Sequence, residues 1–199
     1  MEKETEVKTD KRRLKSRTKI KEAFISLHKR EGYDGVTITS ICEEAHISRS
    51  TFYAHYDNVT GVLEEILDEA LQETGSFWAK HLDLIPEKEE KNCKTPFCVF
   101  VRESDRYRNI FIDDAFSSLI VKKLVDRSSD MYYKYISGYT KMTREQLRAV
   151  LVFQTSGCLS ITKMGIREKM KRWDCVRGCI DEFVKSGIKG IIEKNEKTK

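Results

Sequence analysis

Between Thr37 and Leu63 the chain reads TITSICEEAHISRSTFYAHYDNVTGVL, and the chemistry-bearing residues of this stretch crowd into its middle. Ser48 is placed to cap a short helix, since its hydroxyl can accept from a backbone N–H left free at the helix start. On a helix running Arg49 to His55, Ile47, Phe52 and Tyr56 supply the buried contacts. Arg49, Ser50, Thr51, Tyr53 and His55 are left facing outward. These are mainly hydrogen-bond donors on a short rigid rod, the chemistry suited to phosphate oxygens and base edges in a major groove. Any three-helix microdomain can show such an apolar stripe. A merely solvated face, however, more often carries Glu and Lys than this set.

The elements that must hold the rod follow from the flanking pattern. Thr37 can N-cap a preceding helix, with Ser40 weakly reciprocating, and Ile38, Ile41, Cys42 and Ala45 then form one apolar stripe at helical spacing. A first helix from about Asp10 to Arg30 repeats Ile20, Ala23, Phe24 and Leu27 on one face, and Gly32 and Gly35 end it. A longer helix from about Asn58 to His81 follows. The chain therefore divides into residues 1–9, a disordered charged arm; residues 10–57, a three-helix head; and residues 58–199, a helical body.

The run T-I-T-S-I-C-E-E-A-H-I-S-R-S-T-F-Y-A-H-Y, followed by a helix beginning near Val59, closely resembles the DNA-binding domain of TetR/AcrR-family transcriptional regulators. The resemblance implies double-stranded DNA as partner. It assigns base or phosphate contacts to Arg49, Ser50, Thr51 and Tyr53, with Thr37, Ser48, His55, Lys15 and Arg17 positioning the backbone. Two departures stand out. His46 occupies the turn position where the family usually has Gly, so it must tolerate positive φ or turn differently. Val59 replaces a Lys common near the start of the fourth helix, which removes one phosphate contact.

Composition narrows the alternatives. Lys and Arg total 37 against 32 acids, too small an excess to demand a nucleic-acid partner. The distribution is more telling, because Lys8, Lys11, Arg12, Arg13, Lys15, Arg17, Lys19 and Lys21 cluster beside the motif. That cluster reads either as a solubilising tail or as a phosphate-binding arm. No window approaches 18 uninterrupted apolar residues and the opening lacks a signal-peptide core, which points to a cytoplasmic protein without a membrane partner. Two prolines and abundant Lys, Glu, Leu and Ile point to an all-α fold. Six cysteines form no C-x-x-C and lack a His at ligand spacing, so neither a metal nor another cofactor is expected. Cys42 and Cys158 lie on apolar stripes as packing residues. Cys93 with Cys98, at a helix start where a thiol pKa can fall, and Cys175 with Cys179 leave redox sensing open. No phosphate-cradling loop or nucleophile with a placed base appears, which argues against an enzyme.

The body begins after a charged connection, Pro86 to Lys94, with a helix start at Thr95-Pro96. Helices are expected over about Pro96–Ser104, Asp105–Ile112, Ala115–Ser137, Thr143–Lys169 and Arg172–Glu193, the fourth opened by a capping box of Thr143 and Gln146. R-E-S-D-R-Y-R-N-I-F and S-G-C-L-S-I-T-K-M-G resemble the C-terminal domain of a subgroup described from Firmicutes. Family members of this type bind a small effector in the body, of an identity the sequence leaves open. Phe97, Phe100, Arg102, Tyr107, Phe111, Phe116, Tyr133, Phe153 and Gln154 are the candidate lining, core packing being the alternative for each aromatic. Leu147, Leu151, Cys158, Val176, Ile180 and Phe183 are the candidate dimer interface, with Gly157, Gly178 and Gly187 permitting close approach. The reading is a homodimeric repressor released from a palindromic operator. A co-activator subunit that contacts a partner regulator instead of DNA is the alternative.

Overall fold

The structure, a computed structural model, describes residues 2–74 and 97–194, and every regular element among them is helical. It falls into two compact units, residues 1–70 and 71–199. In the first, α1 (Glu2–Glu31) is followed by a 3-10 turn (Tyr33–Gly35), α2 (Ile38–Ala45), α3 (Arg49–Tyr53) and α4 (Val59–Gln72). The helix α1 starts well ahead of Asp10, so residues 2–9, expected to be disordered, extend it. Glu and Lys, frequent in this stretch, are good helix formers.

The core of this unit is largely the one the spacing predicts, with Ile38 and Ile47 only half-buried. Ile20, Ala23, Phe24 and Leu27 of α1, Ile41, Cys42 and Ala45 of α2, and Phe52 and Tyr56 are all buried. His28 is a packing residue, stacked on Phe24 with ring centroids 6.3 Å apart. Most of α4 belongs to this unit rather than to the body, as the 57/58 boundary had it. The reason is a charged hub. Glu65 of α4 accepts from Arg17 and Lys21 of α1, the latter at 2.9 Å, and from the Tyr56 hydroxyl at 3.0 Å. Lys21, itself buried, also pairs with Glu69. Burial opposes the charge on Glu65, but the bonds from Arg17, Lys21 and Tyr56 outweigh it and hold the carboxyl below its ordinary range.

The second unit holds α5 (Phe97–Glu103), α6 (Arg108–Ile112), a 3-10 turn (Asp114–Phe116), α7 (Ser117–Ile136), α8 (Arg144–Arg167) and α9 (Trp173–Lys194). These agree with the expected helices to within a few residues. The larger difference is α6, which starts at Arg108 because Arg108 folds back to donate twice to the Arg102 carbonyl, at 3.0 and 2.6 Å. Thr143 and Gln146 form the expected capping box on α8. Val125, Tyr132 and Ile136 of α7 pack with Leu147 and Leu151 of α8 and Val184 and Ile188 of α9. Near its other end α8 meets α9 closely at Gly165, where a Cβ would lie 2.4 Å from the Trp173 ring. The extension of the fourth helix to His81, the Pro86–Lys94 connection, the Thr95-Pro96 start and Cys93 lie outside the described residues.

Among the described residues α8 alone is long and apolar enough, by length and composition, to cross a membrane, and its most apolar stretch spans 18 residues. Only 39% of that stretch is buried in the protein. Much of an apolar helix is thus left facing outward.

Candidate nucleic-acid interface

The turn between α2 and α3 fixes the direction of the short helix. Thr37 accepts from the Ser40 N–H at 3.0 Å while Ser40 Oγ accepts from the Thr37 N–H at 2.9 Å, a reciprocal cap on α2. The other end of α2 closes through His46, which adopts the left-handed conformation (φ 52, ψ 53), with the Ile47 N–H donating to the Cys42 carbonyl at 3.0 Å. His46 therefore tolerates the strain that Gly would avoid. Ser48 then caps α3, accepting from the Thr51 N–H at 3.1 Å, and its hydroxyl lies 2.8 and 2.9 Å from those of Ser50 and Thr51.

Arg49, Ser50 and Tyr53 are exposed as expected, Tyr53 to 56%, and Thr51 is half-buried. The Tyr53 ring is held edge-on to buried Phe52, 5.7 Å between centroids. The helix stops at Tyr53, so His55 follows it instead of riding on it. Burial, then the nearby charges of Arg13 and Arg17, push the His55 imidazole below its ordinary pKa, which makes it a neutral hydrogen-bonding group at neutral pH. Lys15 is exposed on α1. Arg17, expected to position the DNA backbone, pairs with Glu65 and lies over the Tyr56 ring at 5.6 Å. That acceptor lies 48 residues away in sequence, beyond the reach of any local spacing.

One residue of this surface was missed altogether. The Arg49 Nη2 donates to Thr39 Oγ1 at 2.6 Å, linking the first residue of α3 to the first turn of α2. Nothing in the spacing of a single helix signals a bond between two helices. At the start of α4, Asn58 Oδ1 accepts from the Gly61 N–H at 2.9 Å, and Val59, half-buried in the first turn, offers no side-chain donor.

The other candidate sites lie in the second unit. Phe97, Tyr107, Phe111 and Phe116 are buried, and Phe100 packs against Tyr107 and Phe111 with centroids 6.1 and 6.4 Å apart, a filled aromatic core. Arg102 stacks on the Trp173 ring at 4.7 Å. Tyr133 lies under Arg144. Gln154 is buried, accepting from the Tyr132 hydroxyl at 3.4 Å, whereas Phe153 is 69% exposed. None of the nine lines the groove of about 740 Å³ that opens between α7 and α8. Its wall combines Val121, Val125, Val152 and Leu159 with Arg148 and Lys163. Lys163, buried, donates to the Asp113 carbonyl and Ser117 Oγ at 2.8 and 2.5 Å and pairs with Asp114.

Of the dimer candidates, Leu147 and Leu151 are consumed in the core of their own unit, and Cys158, Val176 and Ile180 are half-buried. Phe183 is 66% exposed, and Gly157, Gly178 and Gly187 all face open space. Cys98 departs from expectation more sharply. Burial pushes its thiol up rather than down, and it pushes that of Cys158 up to about 12. Cys175 and Cys179 are exposed.

Residues 20–66 match the family model described as bacterial regulatory proteins, tetR family. A protein of Bacillus subtilis (strain 168), described as the uncharacterized HTH-type transcriptional regulator YxbF, is 32% identical over 94 residues, which are 47% of this chain and 24% of that protein. The chain thus matches about a quarter of the length of this relative. Two solved structures resemble it more distantly. The dihydroxyacetone kinase operon activator DhaS has a TM-score of 0.46 and 16% identity, covering 92% of this chain and 98% of that one. The TetR-family repressor AlkX from Dietzia sp. strain DQ12-45-1b has a TM-score of 0.44 and 18% identity, covering 88% and 96%. The matched model is of regulatory proteins, and the Bacillus relative is described as a transcriptional regulator. The two capped helices, the left-handed turn and the exposed donor set all lie within the residues that match the tetR family model.

Proposed function

We propose that the protein is a homodimeric DNA-binding transcriptional regulator of the cytoplasm, a repressor released from a near-palindromic operator by a small molecule. The observation that carries this reading is the doubly capped turn that presents Arg49, Ser50 and Tyr53 outward from a buried Phe52. A five-residue helix reads only a few base pairs, so useful specificity calls for two heads about 34–36 Å apart. The exposed stripe of Phe153 and Gly157 on α8 and of Phe183 and Gly187 on α9 supplies a self-complementary surface for that pairing. The groove between α7 and α8 is the site for the effector. A ligand that lowers operator affinity 100-fold must prefer one state by about 2.7 kcal/mol.

Val59 favours a second reading, a co-activator subunit that has given up operator binding, because α4 offers no Lys to a phosphate at this position. Selection of bound fragments from random duplex DNA by the purified chain separates the two. The regulator yields an inverted repeat, and Arg49→Ala weakens binding to it by about 1–3 kcal/mol in a gel-shift titration. Recovery of no sequence, or an unchanged affinity for Arg49→Ala, overturns the assignment.

A further inference from the structure

Resting on that reading, we infer that Thr39 is a positioning residue for sequence discrimination, its hydroxyl fixing the Arg49 guanidinium before any partner arrives. The two residues belong to different helices, and both are exposed. A bond of 2.6 Å between two exposed side chains holds neither fold nor core together, since each helix already has its own cap in Thr37 or Ser48. What it does constrain is the direction of a long side chain. Arg49 is the first residue of α3, the end of a recognition helix that approaches base edges. An unrestrained Arg there must give up several rotamers when it engages a base or phosphate, whereas one already tied to Thr39 gives up fewer.

Neighbouring charges are consistent with that placement. The Arg49 guanidinium lies close enough to Cys42, one turn beyond Thr39 on α2, for its charge to oppose the rise that burial gives the Cys42 thiol. The side chain is thus laid along α2 rather than extended away from it. Thr39 Oγ1 accepts from Arg49 and keeps its own hydrogen, so the pair can present donors to one partner site from a fixed geometry. Val has the same shape as Thr and no acceptor, and Ser keeps the acceptor without the methyl.

The test uses the full-length chain and the duplex that it selects from a random pool. Affinities for that duplex and for each single-base replacement are compared for the native protein, Thr39→Val, Thr39→Ser, Arg49→Ala and the Thr39→Val/Arg49→Ala double variant. Thr39→Val should lose about 3- to 10-fold of discrimination at the position Arg49 reads, with the affinity for unrelated duplex and its salt dependence unchanged. Thr39→Ser should retain it, and the double variant should discriminate no worse than Arg49→Ala. Full discrimination in Thr39→Val overturns the inference while leaving the regulator reading intact. Equal loss of specific and non-specific binding in both Thr39 variants also overturns it, since that marks a plain phosphate contact. If the native chain selects no sequence, the regulator reading fails and this role of Thr39 fails with it.

Discussion

Removing the Glu65 carboxylate tests whether α4 is part of the head. In Glu65→Ala the Tyr56 hydroxyl, on a side chain that is almost fully buried, loses its acceptor at 3.0 Å, and Lys21 keeps only Glu69. An orphaned buried donor costs about 1–3 kcal/mol, and relief of the desolvation of Glu65 itself returns part of that, so the head should lose about 2 kcal/mol. Native-state hydrogen exchange in the full chain reads this loss locally, at amides of Ile20–Leu27 and Val62–Leu67, without depending on the second unit. Lys21→Met should cost a similar amount because it leaves two carboxylates facing each other. The double variant should then cost less than the sum, with a coupling of roughly 1–2 kcal/mol. Since the folded pKa of Glu65 is depressed, its contribution is complete above the unfolded value of about 4.3 and fades as pH falls through the folded one. The difference between native and Glu65→Ala should therefore narrow in acid. A drop under about 0.5 kcal/mol at neutral pH, or strict additivity in the double variant, refutes the hub.

His46→Gly should stabilise the head by roughly 0.5–1 kcal/mol, because relief of the left-handed conformation (~1–2 kcal/mol) exceeds the added entropy of the unfolded chain. A lower urea midpoint contradicts this. Val59→Lys should steepen the dependence of operator affinity on salt by about 0.9 per head in a plot of log K against log salt, and an unchanged slope means that the start of α4 does not approach a phosphate. Phe183→Glu should turn the proposed dimer into a monomer in sedimentation analysis while helix content holds, since the side chain is exposed. Persistence of the dimer moves the interface elsewhere. His55, whose folded pKa is depressed, should make the head lose stability as pH falls below about 6.5, and His55→Gln should remove that part of the pH dependence.

Local signals were legible in the sequence, and bonds between distant segments were not. The caps at Thr37, Ser48 and Thr143 are set within three or four residues, and each forms as the spacing predicts. The apolar stripes of α1 and α2 are likewise fixed by one period. The pairing of Arg17 was not legible because its carboxylate comes from α4, nor was that of Thr39 because its donor sits on the next helix. In the body, the aromatic count did not show that Phe97 and Phe100 both pack edge-on against Phe111. The groove is lined by aliphatic, hydroxyl and charged residues, a set that composition alone does not distinguish from surface. The left-handed His46 was visible only as a dilemma, since a sequence shows which residue must bear a turn but not whether it yields.

These features bear on one another through the length of α3. Isolated helices shorter than about 12–15 residues are marginal in water, so five residues hold a helical direction only because both flanks are pinned. The Ser48 cap and the left-handed turn at His46 fix one flank, and buried Phe52 and Tyr56 fix the other. Rigidity gained this way is confined to a surface a few residues wide, which cannot by itself distinguish one operator among many near matches. On the proposed reading, a regulator built on this head draws its remaining specificity from a second copy. That demand makes the unpartnered Phe153 and Phe183, rather than the core residues Leu147 and Leu151, the place where substitution should separate operator binding from folding.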